Sequence, residues 1–167
     1  MMFIDVLHGF MRRLSLVLAV PAAFVLLSVT GAAGAPIAFQ AENATIHRGI
    51  VASDHSGYTG TGFVDYDAIS GSYVQFTTST SLPGSMYLGF RYANGAAANR
   101  PMDITVNGVL VAHNVPFAST GSWDVWQVTA FTVPVSAGPI AVRATATTAA
   151  GGPNLDSLTF EVRPVAP

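Results

Sequence analysis

The sequence predicts an all-β domain, an antiparallel β-sandwich of jelly-roll type, and three observations carry that expectation. After residue 36, apolar and polar residues alternate with a period of two in short runs, the pattern of strands with one buried face. Clusters of Gly, Pro, Asn and Ser punctuate those runs. No stretch of this part of the chain repeats its apolar residues at helical spacing. About eight or nine short strands are expected over roughly 125 residues, a density typical of sandwiches.

The chain opens on a segment of another kind. Arg12 and Arg13 precede an apolar stretch over residues 14–29, which exits through Gly31-Ala32-Ala33-Gly34-Ala35. A basic start, an apolar middle and a small-residue exit read as a secretory signal peptide. Residues 1–35 are therefore expected to be a leader and 36–167 a single domain, with cleavage between Ala32 and Ala35. Met11 is an alternative start. The apolar stretch falls short of the roughly 20 residues that span a bilayer, and no basic stop-transfer follows it. The expectation is a secreted protein with no membrane association after cleavage.

Strands are then expected at 37–42, 44–50 and 61–66. Tyr73-Val74-Gln75-Phe76-Thr77 places Val74 and Phe76 on one face. Over 87–92, Leu88, Phe90 and Tyr92 share a face opposite Gly89 and Arg91. Asn107-Gly108 between the β-branched runs of 103–111 predicts a type I′ hairpin, because that turn needs positive φ at both central residues. Further strands are expected at 125–134, 139–147 and 156–163, separated by turn clusters such as Ala150-Gly151-Gly152-Pro153-Asn154.

Composition excludes several functions. There is no cysteine, hence no disulfide framework, thiolate metal site or cysteine nucleophile. The net charge is −2, all seven basic residues are arginine, and no basic stripe exists to neutralise phosphates, so nucleic acid is not an expected partner. Neither a Gly-x-Ser-x-Gly elbow nor a His-Glu-x-x-His zinc motif occurs. His47, His55 and His113 read as ordinary strand or loop histidines. A glycosidase needs two carboxylates about 5–9 Å apart; Glu161 alternates with Leu158, Phe160 and Val162 and is expected to face solvent, and Glu42 stands near the first strand. Nothing in this pattern calls for catalysis.

Five segments in order resemble the carbohydrate-binding modules of family 35 and, more distantly, family 6. They are Phe39-Gln40-Ala41-Glu42-Asn43-Ala44, Gly57-Tyr58-Thr59-Gly60-Thr61-Gly62-Phe63-Val64, Phe90-Arg91-Tyr92-Ala93-Asn94-Gly95, Thr120-Gly121-Ser122-Trp123-Asp124-Val125-Trp126 and Gly152-Pro153-Asn154-Leu155-Asp156-Ser157-Leu158. The likeness spans residues 39–158 and reads as a free-standing, monomeric module, whereas such modules are usually appended to glycoside hydrolases.

The resemblance implies non-catalytic, calcium-dependent binding of a polysaccharide or oligosaccharide. It implies a structural Ca2+ held at Gln40, Glu42 and Asp156, with room for a second at the ligand site. Gln40 and Glu42, two apart, are expected on one face of the first strand, and Asp156 at the start of a last strand lying beside it. Calcium takes about six to eight oxygens, so backbone carbonyls and water would complete the shell. The alternative is that Glu42 and Asp156 cap strand ends or pair with arginines. The sugar site implied by the family lies on loops at one end of the sandwich, where an aromatic ring stacks on a pyranose and planar polar groups orient it. Trp123 and Asn154 match best, with Tyr58, Arg91 and Asn94 behind them. Trp126 is expected in the core. Uronic acid-, galactose- and mannose-containing glycans all remain open as ligands. A structural or adhesive domain without sugar binding, and a glycan-active enzyme, are the competing readings.

Overall fold

The structure, a computed structural model, describes residues 35–164. The expected leader, its expected cleavage point and the last three residues lie outside the described residues. Eleven strands follow one another: β1 (Ile37–Gln40), β2 (Thr45–His47), β3 (Gly49–Ala52), β4 (Phe63–Tyr66), β5 (Tyr73–Thr80), β6 (Gly84–Ala93), β7 (Met102–Val106), β8 (Val109–Val115), β9 (Gln127–Val135), β10 (Gly138–Ala146) and β11 (Asn154–Pro164). One antiparallel sheet has the order β3-β4-β11-β6-β9, with β1 also paired to β11; the other runs β2-β5-β10-β7-β8. Together they form the expected jelly-roll sandwich.

Alternation places the core between the sheets. Val74, Phe76, Ile104, Val142 and Ala144 of the second sheet face Leu88, Phe90, Leu158 and Phe160 of the first, all nearly or completely buried. Burying such side chains is the main force holding the layers together, at about 1.5–3 kcal/mol each. The hairpin between β7 and β8 turns at Asn107 (φ 50°) and Gly108 (φ 82°), as its sequence predicts. Asn107 also ties the turn to β10, accepting the Ala141 N–H at 2.7 Å.

Four expectations about elements need correction. The first strand stops at Gln40, and Glu42 lies in a single 3-10 turn, Ala41–Asn43, so the two residues do not share a strand face. The predicted strand 44–50 is two strands in different sheets, because Arg48 takes a left-handed φ of 55° and turns the corner between them. β11 begins at Asn154 rather than 156, and its register slips between Leu155 and Ser157. Asp156 is the extra residue of that bulge. Glu161, expected in solvent, is largely covered and accepts a hydrogen bond from Arg163 Nε at 2.8 Å.

The outer face of the first sheet is not bare. Phe63 is fully buried yet sits outside the main core, covered by Tyr58 (centroids 5.6 Å), His55 (5.8 Å) and Trp126 (5.5 Å). The loop 53–62 folds over this face and makes a second, smaller apolar cluster there. Trp126 therefore packs half-buried on the outer face and not in the core between the sheets.

Candidate functional site

At one end of the sandwich a cavity of about 470 Å³ opens between the loops. Its floor is Tyr66 of β4, whose buried hydroxyl donates to the Ala144 carbonyl at 3.1 Å and whose ring leaves no room for a Cβ on Gly152. Burial pushes the Tyr66 phenol well above its usual pKa. Asn154, the first residue of β11, lines one wall, and Trp123 lines another. Trp123 rides on a turn in which Gly121 takes a φ of 83°. Its indole rests on the backbone of Gly95, where a Cβ would come within 2.5 Å of the ring. The structure thus brings the two leading sequence candidates onto one cavity.

Four acidic or basic cavity residues are not among the sequence candidates for the site; by sequence His55 reads as an ordinary strand or loop histidine. The Arg100 guanidinium lies 5.0 Å from the Trp123 ring centroid and donates through Nη1 to the Gly152 carbonyl at 2.9 Å, while its Nε is buried without a partner. The His55 ring lies 6.2 Å from Trp123 at an interplanar angle of 25°. Asp65 stands across from them, exposed at the rim but partly desolvated by the cavity wall; that desolvation, with Asp54 nearby, holds its carboxyl above the usual range against the opposing pull of Arg100 and His55. Asp67 follows on the same rim. A stacking ring, an amide, a guanidinium and carboxylates around one open cavity are the groups that grip a polyhydroxylated ring. The sequence holds no signal for Arg100 or Asp65, because their link to Trp123 is purely spatial.

The other three candidates sit elsewhere. Asn94 is completely buried: its amide donates to the carbonyls of Ala98 and Phe117, each at 2.9 Å, and its Oδ1 accepts the Ala96 N–H at 3.1 Å. With its hydrogen-bonding capacity used inside the protein, it is a loop anchor and not a sugar contact. Arg91 lies on the outer face, where Nη1 donates to Asp156 at 2.6 Å, Nη2 to the Gly57 carbonyl at 2.8 Å, and the guanidinium stacks 5.2 Å over Trp126. Tyr58 packs on Phe63 beside it. Neither lines the cavity, because the face opposite Phe90 and Tyr92 is covered by loop 53–62 rather than open to a ligand.

Gln40, Glu42 and Asp156 do converge, around Thr59, Gly60 and Thr61. Thr59 donates from its N–H to Asp156 Oδ1 (2.7 Å) and sits with its hydroxyl 2.8 Å from Asp156 Oδ2 and 3.1 Å from Gln40 Oε1. The Thr61 N–H donates to Glu42 Oε1 at 2.8 Å. Gly60, at a φ of 71°, passes so close that a Cβ would strike Glu42 Oε1 and Gln40 Oε1. Glu42 Oε2 is buried and has no partner. An orphaned carboxylate oxygen in an all-oxygen cradle suits a hard cation. The set has two carboxylates and one amide; among the described residues no three His, Cys, Asp or Glu side chains gather. Arg91 already compensates Asp156, so the uncompensated oxygen belongs to Glu42.

This architecture is shared with known proteins. Residues 40–162 match the family model described as carbohydrate binding module (family 6). An exo-beta-D-glucosaminidase of Amycolatopsis orientalis is 48% identical over 125 residues, which cover 75% of this chain and 12% of the relative. The chain thus corresponds to a small fraction of that enzyme's length. The native structure of a family 35 carbohydrate binding module from Clostridium thermocellum superposes with a TM-score of 0.74 at 41% identity, covering 76% of this chain and 98% of that one. A Xyl-CBM35 solved in complex with a glucuronic acid containing disaccharide matches at a TM-score of 0.69 and 30% identity, over 78% of this chain and 99% of its own. With the family pattern running through nearly all described strands, the chain belongs to the carbohydrate-binding modules of family 6, close to those of family 35.

Proposed function

We propose that the protein is exported and binds an acidic glycan, one carrying glucuronic acid, at the Trp123 cavity without catalysing its turnover, and that calcium supports both fold and binding. The observation that carries this reading is the convergence of Trp123, Asn154 and Arg100 on one open cavity at the loop end of the sandwich. Trp123 offers the apolar face for a pyranose, Asn154 an amide for hydroxyls, and Arg100 the charge for a carboxylate. The bound disaccharide of the Xyl-CBM35 neighbour supports the choice of a uronic acid. Asp65 and Asp67 on the rim would repel a uronate, and a second calcium, if held by these carboxylates, would supply the positive charge that offsets that repulsion. Gln40, Glu42 and Asp156, with the hydroxyls of Thr59 and Thr61 beside them, would hold the structural calcium.

Titration calorimetry tests the reading with a glucuronic acid containing disaccharide against neutral galacto- and manno-oligosaccharides, each with calcium and with chelator. Calcium-dependent binding of the acidic sugar, lost in Trp123→Ala, is the expected result. Preference for a neutral sugar would transfer the site to galactose- or mannose-containing glycans, and binding retained by Trp123→Ala would remove the sugar from this cavity. Intact-mass measurement of secreted protein checks export; a full-length membrane-bound species would overturn it.

A further inference from the structure

Trp123 is carried on the segment 120–126, which is fastened at two ends. At its start the Thr120 N–H donates to the Asn94 carbonyl at 2.8 Å, and Thr120 Oγ1 accepts the Asn94 N–H at 3.0 Å. At its far end it meets loop 53–62. Asp124 Oδ1 accepts both the Ser56 N–H (2.6 Å) and the Ser56 hydroxyl (3.1 Å), and Trp126 Nε1 donates to the Ser56 carbonyl at 2.8 Å. Gly57, at a φ of 83°, lies close against the Trp126 indole. The residue before Ser56 is His55, the ring that flanks Trp123.

The geometry points to Asp124 as a positioning residue for sugar recognition: by gripping Ser56 it locks the turn bearing Trp123 to the loop bearing His55 and so fixes the mouth of the cavity. The inference rests on the sugar-binding reading of that cavity. The Asp124 side chain is 50% exposed and contributes nothing to the core, so its two bonds have little global stability to supply. They are charge-assisted, hence stronger than neutral ones, and with the His55 Nδ1 that lies 3.8 Å from the same Oδ1 and the Trp126 contacts they join the two loops. A cavity wall held in place before the sugar arrives avoids the cost of ordering it on binding.

The test uses the mature protein and its variants Asp124→Ala, Asp124→Asn and Trp123→Ala. The probe is whichever of the glucuronic acid disaccharide and the galacto- and manno-oligosaccharides binds the parent protein. The chain has two tryptophans, so the Trp123 indole N–H is one of two resolvable NMR signals. Asp124→Ala should weaken binding about tenfold and shift or broaden the Trp123 signal, with the melting midpoint unchanged. Asp124→Asn, which keeps an acceptor for Ser56, should restore most of the affinity and the signal. If Asp124→Ala binds like the parent while Trp123→Ala has lost binding, the sugar site stands and the positioning role falls. Equal loss of affinity in both Asp124 variants together with a lowered midpoint also overturns it, since that reports general structural damage. Parent-like binding by Trp123→Ala removes the sugar reading and this inference with it.

Discussion

Replacing Gly95 with alanine probes how far the position of the Trp123 ring governs binding. A Cβ at residue 95 would lie 2.5 Å from Trp123 Cδ1 and 2.6 Å from Cγ and Nε1, whereas ordinary contact begins at 3.4 Å. The indole must therefore retreat by about 0.9 Å, toward Arg100, His55 or the cavity. Gly95 does not use a positive φ, so alanine carries no backbone strain there and gains roughly 0.4–1 kcal/mol from the less flexible unfolded chain. That gain offsets much of the strain of moving a half-buried ring, and the net change in stability should stay below about 1 kcal/mol. Stacking on an aromatic face is worth about 0.5–1.5 kcal/mol, so a ring shifted by this much should lose between about twofold and about twelvefold in affinity. Calorimetric titration with the bound sugar, beside denaturant melts and tryptophan emission spectra, reads both quantities. Parent-like affinity in a variant whose emission shows a displaced indole would refute the stacking argument. A loss of several kcal/mol of stability would instead make Trp123 part of the fold.

Calcium bound only by the native state must raise the melting midpoint, and Glu42→Gln or Gly60→Ala, which respectively neutralise and crowd the cradle, should abolish that rise; an unchanged midpoint in chelator would mean no structural cation. Asp65 holds its proton more tightly in the native state than in the unfolded chain, so stability falls as pH rises from the ordinary value of 3.8 through the raised native value. Asp65→Asn should flatten that decline and be more stable than the parent at neutral pH, which urea melts across the acid range would show; equal slopes would count against the partial desolvation and the Asp54 repulsion invoked here. Phe63→Ala should cost about 3 kcal/mol by hollowing the outer cluster, and should expose loop 53–62 to proteolysis before the core strands open. Simultaneous loss of all strands would show that the outer cluster is no separate unit.

Period-two alternation identified buried faces correctly at Val74 and Phe76 and at Leu88, Phe90 and Tyr92, because core burial selects side chains directly. It was silent on what covers the opposite face. Arg91 has the parity of a surface residue, and only the fold of loop 53–62 over the first sheet turns it into a clamp between Asp156 and Gly57. Asn94 illustrates the same limit: an amide in a turn reads as available to a ligand, while its partners at Ala98 and Phe117 arise from long-range packing. Gln40, Glu42 and Asp156 were brought together by the family likeness, although the strand parity offered for the first two does not hold. Trp123 and Asn154 share a cavity as that likeness implies, whereas Arg100, 23 positions before Trp123, has no local pattern to betray it.

The place of β11 dictates an order of events in synthesis. This final strand is the middle of the first sheet, paired along one side with β6 and along the other with β1 and, at Leu155, with β4. Until residues 154–164 emerge, the strands on its two sides have nothing to join them, and half of the sandwich lacks its centre. Chains that stop short of β11 should remain open and protease-sensitive, then close in a single late step dominated by contacts between distant parts of the sequence. Stalled nascent chains ending at residue 153 should accordingly be digested, whereas those that expose residue 164 should resist.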